Sequence, residues 1–316
     1  MLSVLSIRSA KVTHPTGDPK FAVLQSFPAV FTAEEVSPFL MLDHFGPMVS
    51  KGLKGEDEFA VPWHPHRGQD LLSYMISGNG RHADSMGNRE TFSSPGVQWI
   101  SAGSGIEHAE GGGNAAGVIE EGFQIWTDVP RARKLDDPSY GTHGAAELPV
   151  VQLGVGASFR LLAGALGGSK GPFKAQADLT ISDLTVAHGA QATWQVPAAH
   201  NTILVYAFNG DGSVCGSAIK RGEIAKLEGK SDAERTISFS GTAQEGLRAL
   251  VFTGKSLDQP IAWHGPFVMT TDAEIKQTLR EYQNGTFLRL RAPYDYKSAA
   301  AGRAHAAKTK TAKGDL

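Results

Sequence analysis

A single cysteine, Cys215, stands in 316 residues. One thiol excludes an intrachain disulfide and any cysteine-built metal site, and a reducing compartment is the simple expectation. No base neighbours Cys215 in sequence, so it is expected to be a small buried hydrophobe. An excess of either charge is lacking as well: 30 Lys+Arg oppose 32 Asp+Glu, for a formal net charge of −2. No global basic field recruits nucleic acid or an anionic membrane. Long apolar runs are missing, and none approaches the roughly 18 residues a membrane span needs. The first twelve residues carry Arg8 and Lys11 without a sustained apolar stretch. No signal peptide is read there, and a cytoplasmic protein is expected.

Glycine, by contrast, is abundant: 37 residues, well above the average of about 7%. Glycine supplies positive φ at tight turns, so the excess fits many short strands. Short apolar stretches closed by turn residues bear this out. Leu71–Ser77 stops at Gly78-Asn79-Gly80, Gly122–Val129 at Pro130, and Leu247–Thr253 at Gly254. Thr202–Phe208 ends at Asn209-Gly210-Asp211-Gly212, which predicts a hairpin. Strands at this spacing predict an all-β sandwich or barrel architecture. One helix is written clearly. Thr271 and Glu274 have capping-box spacing, Ile275, Leu279 and Tyr282 share a face, and Gly285 is the stop.

The proline-rich, charged stretch 131–149 reads as a connection between an N-terminal domain, 1–130, and a C-terminal domain, 150–296, of similar size. Both halves read as β, which suggests a duplicated architecture. From 297 to 316 lysines and arginines are scattered among alanines with no apolar face, and a basic flexible tail is expected.

Two histidine-bearing pairs carry the chemistry: His64-Pro65-His66 and His108-Ala109-Glu110. In a strand, residues two apart point to one face. Two facing strands then offer three imidazoles and one carboxylate, with no sulfur. That set is wrong for a closed structural zinc site and suits a divalent metal with open positions. Asp70 competes for the carboxylate role, since strand periodicity puts it on the face of His64 and His66. Trp63 and Trp99 flank the two motifs as core residues or pocket walls. Gly103-Ser104-Gly105 does not complete a nucleophile elbow, and Gly111-Gly112-Gly113 lacks the frame of a phosphate loop.

The stretch Pro62-Trp63-His64-Pro65-His66-Arg67-Gly68, followed by Val97-Gln98-Trp99-Ile100-Ser101-Ala102-Gly103-Ser104-Gly105-Ile106-Glu107-His108-Ala109-Glu110, resembles the pirin family of the cupin superfamily. Pro38–Asp43, Phe123-Gln124-Ile125-Trp126, Gly265–Met269 and Tyr282–Gly285 extend the likeness over about residues 5 to 290. The resemblance implies two tandem cupin barrels with a short C-terminal helix, and one metal, usually iron, in the N-terminal barrel. It maps the family's ligands onto His64, His66, His108 and Glu110, with Asp70 left as an outer carboxylate or the alternative ligand. It implies cleavage of a flavonol such as quercetin with O₂, Glu110 being the best base. It also implies an alternative, a non-enzymatic metal- or redox-sensing regulator that acts through a protein partner. There are departures. Gln69, Asp70 and Leu71 stand where the family commonly has Phe-Glu-Thr, so Gln69 replaces an aromatic near the metal. His44 stands where an acid is more usual and is a candidate pocket residue. His188 and His200 are isolated, and the second barrel is expected to be metal-free.

Overall fold

The computed structural model describes residues 1–15, 17, 19, 21–52, 55–229 and 235–314. Among the described residues the chain builds two barrels of the same plan, each a seven-stranded sheet facing a four-stranded one. The first large sheet runs Ser139–His143, Gly96–Ser101, Gln69–Ser77, Ile119–Asp128, Phe39–Val49, Val23–Gln25 and Lys11–Thr13. Its small partner sheet runs Val61–His66, Ile106–Glu110, Asn79–Asp84 and Arg89–Ser93. The second large sheet opens with Val4–Ser9 and continues through Glu223–Leu227, Thr202–Gly210, Leu247–Gly254, Leu179–Val186, Ala157–Ala163 and Val150–Gly154. The expected all-β tandem-cupin architecture is thus present.

The two large sheets lie back to back. Leu72, Tyr74, Trp99, Phe123 and Ile125 from the first pack with Ile181, Leu204, Tyr206, Leu250 and Phe252 from the second in one buried cluster. The strand Thr202–Gly210 shows why its sequence is a continuous apolar run and not an alternation. Leu204, Tyr206 and Phe208 face the other barrel, while Ile203, Val205 and Ala207 face the interior of their own. The second barrel's interior is filled by apolar side chains. Among the described residues the first barrel's interior carries a small apolar cluster, Leu71, Ile100, Ala102 and Ile106. The space that remains is lined by histidines and polar residues.

The division by composition does not follow sheet membership. Val4–Ser9 pairs with Glu223–Leu227 in the second barrel, and Ser139–His143, inside the expected connection, pairs with Gly96–Ser101 in the first. Residues from 262 onward return to the first barrel: Val268 N–H donates to the Arg67 carbonyl at 3.0 Å and Ala292 N–H to that of Ser85 at 2.7 Å. The predicted hairpin at Asn209-Gly210 is a corner instead. Thr202–Gly210 lies in the large sheet and Gly212–Val214 in the small one. Gly210 takes φ +66°, and a Cβ there would strike the Gly246 carbonyl.

The predicted helix forms as α1 (Asp272–Gln283), with Thr271 Oγ1 accepting from Glu274 N–H and Gly285 at φ +72°. Within the stretch read as a basic tail, Ala299–Gly314 forms the helix α2. Its many alanines have high helix propensity, which the lack of an apolar face concealed. It is anchored by Ala299 N–H donating to Asp57 at 2.9 Å, by Arg303 pairing with Glu56, and by His305 against the Tyr294 ring. Cys215 is half-buried against the second core, not fully enclosed. No helix among the described residues is long and apolar enough to cross a membrane.

Candidate metal centre

His64 and His66 share the inner face of the strand Val61–His66, and His108 sits directly opposite His64 on the antiparallel neighbour. One ring nitrogen from each lies within 4.8 Å of the other two. Imidazoles so close, two of them buried, repel protons. Burial first, and then the neighbouring imidazoles, hold His66 and His108 well below the ordinary histidine pKa. The neutral form is the one that binds metal.

The tautomers are set by carbonyls, which can only accept. His64 Nδ1–H donates to the Pro62 carbonyl at 2.7 Å and His66 Nδ1–H to the Pro266 carbonyl at 3.2 Å. Each Nε2 is left with its lone pair. His66 Nε2 and both ring nitrogens of His108 are buried without a hydrogen-bond partner. Each such group costs about 1–3 kcal/mol when nothing compensates it. A divalent ion among them offsets that cost, so these residues fit a metal.

Glu110 is not in the three-histidine cluster. The register shifts between His108 and Glu110, and the carboxylate is held by Gln124 Nε2 at 2.8 Å and Ser73 Oγ at 3.2 Å. Asp70 points the other way. Gly68, at φ +82°, interrupts the chain between the two strands, and Gln69–Ser77 belongs to the opposite sheet. Asp70 therefore faces the second barrel; it accepts from Ser101 Oγ of its own sheet at 2.6 Å and from Gln176 N–H across the interface at 2.7 Å. It is not a ligand.

The pocket candidates divide. Gln69 is buried beside the centre and donates through Nε2 to the same Pro266 carbonyl at 2.8 Å, 3.0 Å from His66 Nδ1. Trp63 alternates with His64 and faces outward, between Phe59 and Tyr296. Trp99 belongs to the core between the barrels. His44 lies at that same interface, bound to Tyr206 OH at 3.1 Å and Glu121 at 3.0 Å. Period two told which residues share a face, but not which face is the barrel's inside. The aromatic wall belongs instead to Trp126, 5.0 Å from the His66 ring, backed by Trp263 at 5.8 Å. His82 was also missed. It sits behind His108, stacked on Tyr140 at 4.5 Å, with Nε2 3.1 Å from Asp84.

Arg67, next to His66, is buried and clamps the returning C-terminal segment. It donates to the Ser104 carbonyl at 2.8 Å and Thr278 Oγ1 at 3.1 Å, pairs with Glu281 at 2.7 Å and lies over the Phe287 ring. A side chain at Gly68 would force the backbone to shift, because a Cβ would sit 2.2 Å from the Val268 carbonyl oxygen. The signal for both was the Arg-Gly that follows the histidine pair. In the second barrel, His188 Nδ1–H donates to the Ala243 carbonyl, and His200 is occupied by Thr253 and Asp178.

Residues 20–127 match the Pirin family, and residues 181–288 match the Pirin C-terminal cupin domain. This chain belongs to the pirin family. A Pseudomonas aeruginosa relative, named provisionally as a quercetin 2,3-dioxygenase, is 31% identical over 92% of this chain and 99% of its own. A pirin-like protein of Caulobacter vibrioides is 30% identical over 87% of this chain and 96% of its own. A solved quercetin 2,3-dioxygenase from Acinetobacter baumannii superposes with a TM-score of 0.82 at 29% identity, over 91% of this pirin and 99% of that chain. An Escherichia coli pirin solved with nickel(II) shares the fold, with a TM-score of 0.59 at 18% identity, over 81% of this chain and all of that one.

Proposed function

We propose that this pirin is a metal-dependent dioxygenase that cleaves a flavonol such as quercetin with O₂ in its N-terminal barrel. His64, His66 and His108 hold the metal, with Glu110 as the fourth ligand or as base, and iron(II) is the metal proposed. The observation that carries this reading is the convergence of three imidazoles, with buried, unpartnered nitrogens on His66 and His108. The names of the P. aeruginosa and A. baumannii relatives support the reaction class.

When bound, the metal supplies Lewis acidity toward substrate oxygens and open positions for O₂. The chain's own groups do the rest. Glu110 takes the proton of the flavonol 3-hydroxyl on a carboxylate oxygen, while Gln124 and Ser73 keep that carboxylate oriented. Trp126 and Trp263 offer flat faces for the aromatic rings of the substrate. Gln69 and the Pro266 carbonyl hold His66 in its ligating orientation.

The test is O₂ consumption by iron(II)-loaded protein with quercetin, with His64→Ala as control. Uptake lost in the variant is expected. No uptake from protein shown to contain metal removes flavonol cleavage and turns attention to the regulator.

A further inference from the structure

The strand Val61–His66, which carries two of the three histidines, is the edge strand of its sheet among the described residues, paired with Ile106–Glu110 alone. Backbone hydrogen bonds therefore hold it from one side only. The register of that single pairing also shifts just after His108. Yet the rings of His64 and His108 stand 4.3 Å apart, centroid to centroid, and their spacing decides whether one ion can reach both.

A second restraint comes from the C-terminal segment, which crosses the outer face of this sheet. Trp63, the outward neighbour of His64, and Glu107, the outward neighbour of His108, lie on the two paired strands. Tyr296 touches both: its ring centroid lies 5.4 Å from that of Trp63, and its hydroxyl donates to Glu107 Oε2 at 2.7 Å. Lys297 repeats the pattern, with Nζ 3.2 Å from Glu107 and 5.5 Å over the Trp63 ring. The segment is itself pinned. Ser85, whose carbonyl accepts from Ala292 N–H, also accepts through Oγ from Glu107 N–H at 3.1 Å. Arg89 donates to the Lys297 carbonyl at 3.2 Å. The match to the family ends at residue 288, before this segment begins.

We propose that Tyr296 is a positioning residue of the metal centre. From outside the barrel it ties Trp63 to Glu107 and so fixes the spacing of His64 and His108, acting through those two residues and not on the ion. The inference rests on the assignment of the histidines as metal ligands. Imidazoles held at a looser spacing bind metal more weakly and with altered geometry, while the fold itself is little changed.

The test is a competition titration of cobalt(II) against a chelator of known affinity, with the visible spectrum of the cobalt-loaded, full-length protein recorded beside it. Tyr296→Ala, Tyr296→Phe and Ile237→Val are compared with the unaltered chain. Ile237 lies in the core of the second barrel, so its variant lowers the melting temperature without touching the histidine strands. Tyr296 is half-buried, outside both barrel cores, and its variants keep the fold. Tyr296→Ala is expected to weaken cobalt binding about tenfold and to shift the spectrum. Tyr296→Phe keeps its ring on Trp63 while Lys297 stays on Glu107, and its loss is about threefold or less. Ile237→Val binds as the unaltered protein does. Unchanged affinity in Tyr296→Ala overturns the proposal. So does an equal loss in Ile237→Val, which would make the effect one of stability alone. An unaltered protein that takes up no cobalt fails the ligand assignment itself, and the inference falls with it.

Discussion

His66 donates its Nδ1–H to the carbonyl of Pro266, 3.2 Å away and 200 residues later in the chain. A candidate ligand of the first barrel is thus oriented by the segment that returns from the second. Gln69 donates to the same carbonyl, while its own Oε1 is buried without a partner. Gln69→Leu therefore loses one hydrogen bond and also removes one unsatisfied oxygen, so metal-free stability changes little. Metal affinity, however, should fall about tenfold as the carbonyl loses its anchor. A competition titration with a chelator of known affinity measures this beside a melting curve.

Gly68 marks where the histidine strand meets that returning segment. Gly68→Ala places a Cβ 2.2 Å from the Val268 oxygen and 2.8 Å from Met269 Sδ, at φ +82°. The contact with backbone must open, and a loss of about 2–4 kcal/mol is expected. Urea unfolding reads it directly.

Lys134 is buried against Asp128 and also donates to the carbonyls of Gly68 at 2.7 Å and Val268 at 3.0 Å. Lys134→Ala leaves Asp128 buried without its cation. The cost expected is about 3–5 kcal/mol, the range for breaking such a pair from one side. The same unfolding experiment distinguishes this from a surface pair, which would cost under about 1 kcal/mol.

Burial pushes the Asp70 carboxyl up to about 7, against the hydrogen bonds from Ser101 and Gln176 that lower it. Asp43 is raised to about 6, also by burial. Between pH 4 and these values the folded chain holds protons that the unfolded chain has released. Stability therefore falls as pH rises through that window and levels off above about 7. Asp70→Asn removes the larger part, on the order of 4 kcal/mol across the window. Unfolding midpoints from pH 4.5 to 8, compared between the two proteins, should show the flatter curve for Asp70→Asn.

Much of this was legible in the sequence, and the gaps have physical causes. His64, His66 and His108 could be found because period two fixes their common face and the turns between fix their return. The cap at Thr271 was readable because it is local. Asp70 was misplaced because Gly68 moves the chain from one sheet to the other, and alternation does not survive that crossing. Trp63 and Trp99 were offered to the pocket and Trp126 was not, because alternation cannot say which side of a sheet is the inside of a barrel. His82 and the contacts of Arg67 depend on strands and segments far away in sequence, and no local pattern encodes them.

The central claim is that the three histidines form a metal centre, and metal content tests it most directly. Elemental analysis should find one divalent transition metal per chain in the unaltered protein and almost none in a folded His108→Ala variant. A variant that retains the full complement of metal would contradict the assignment.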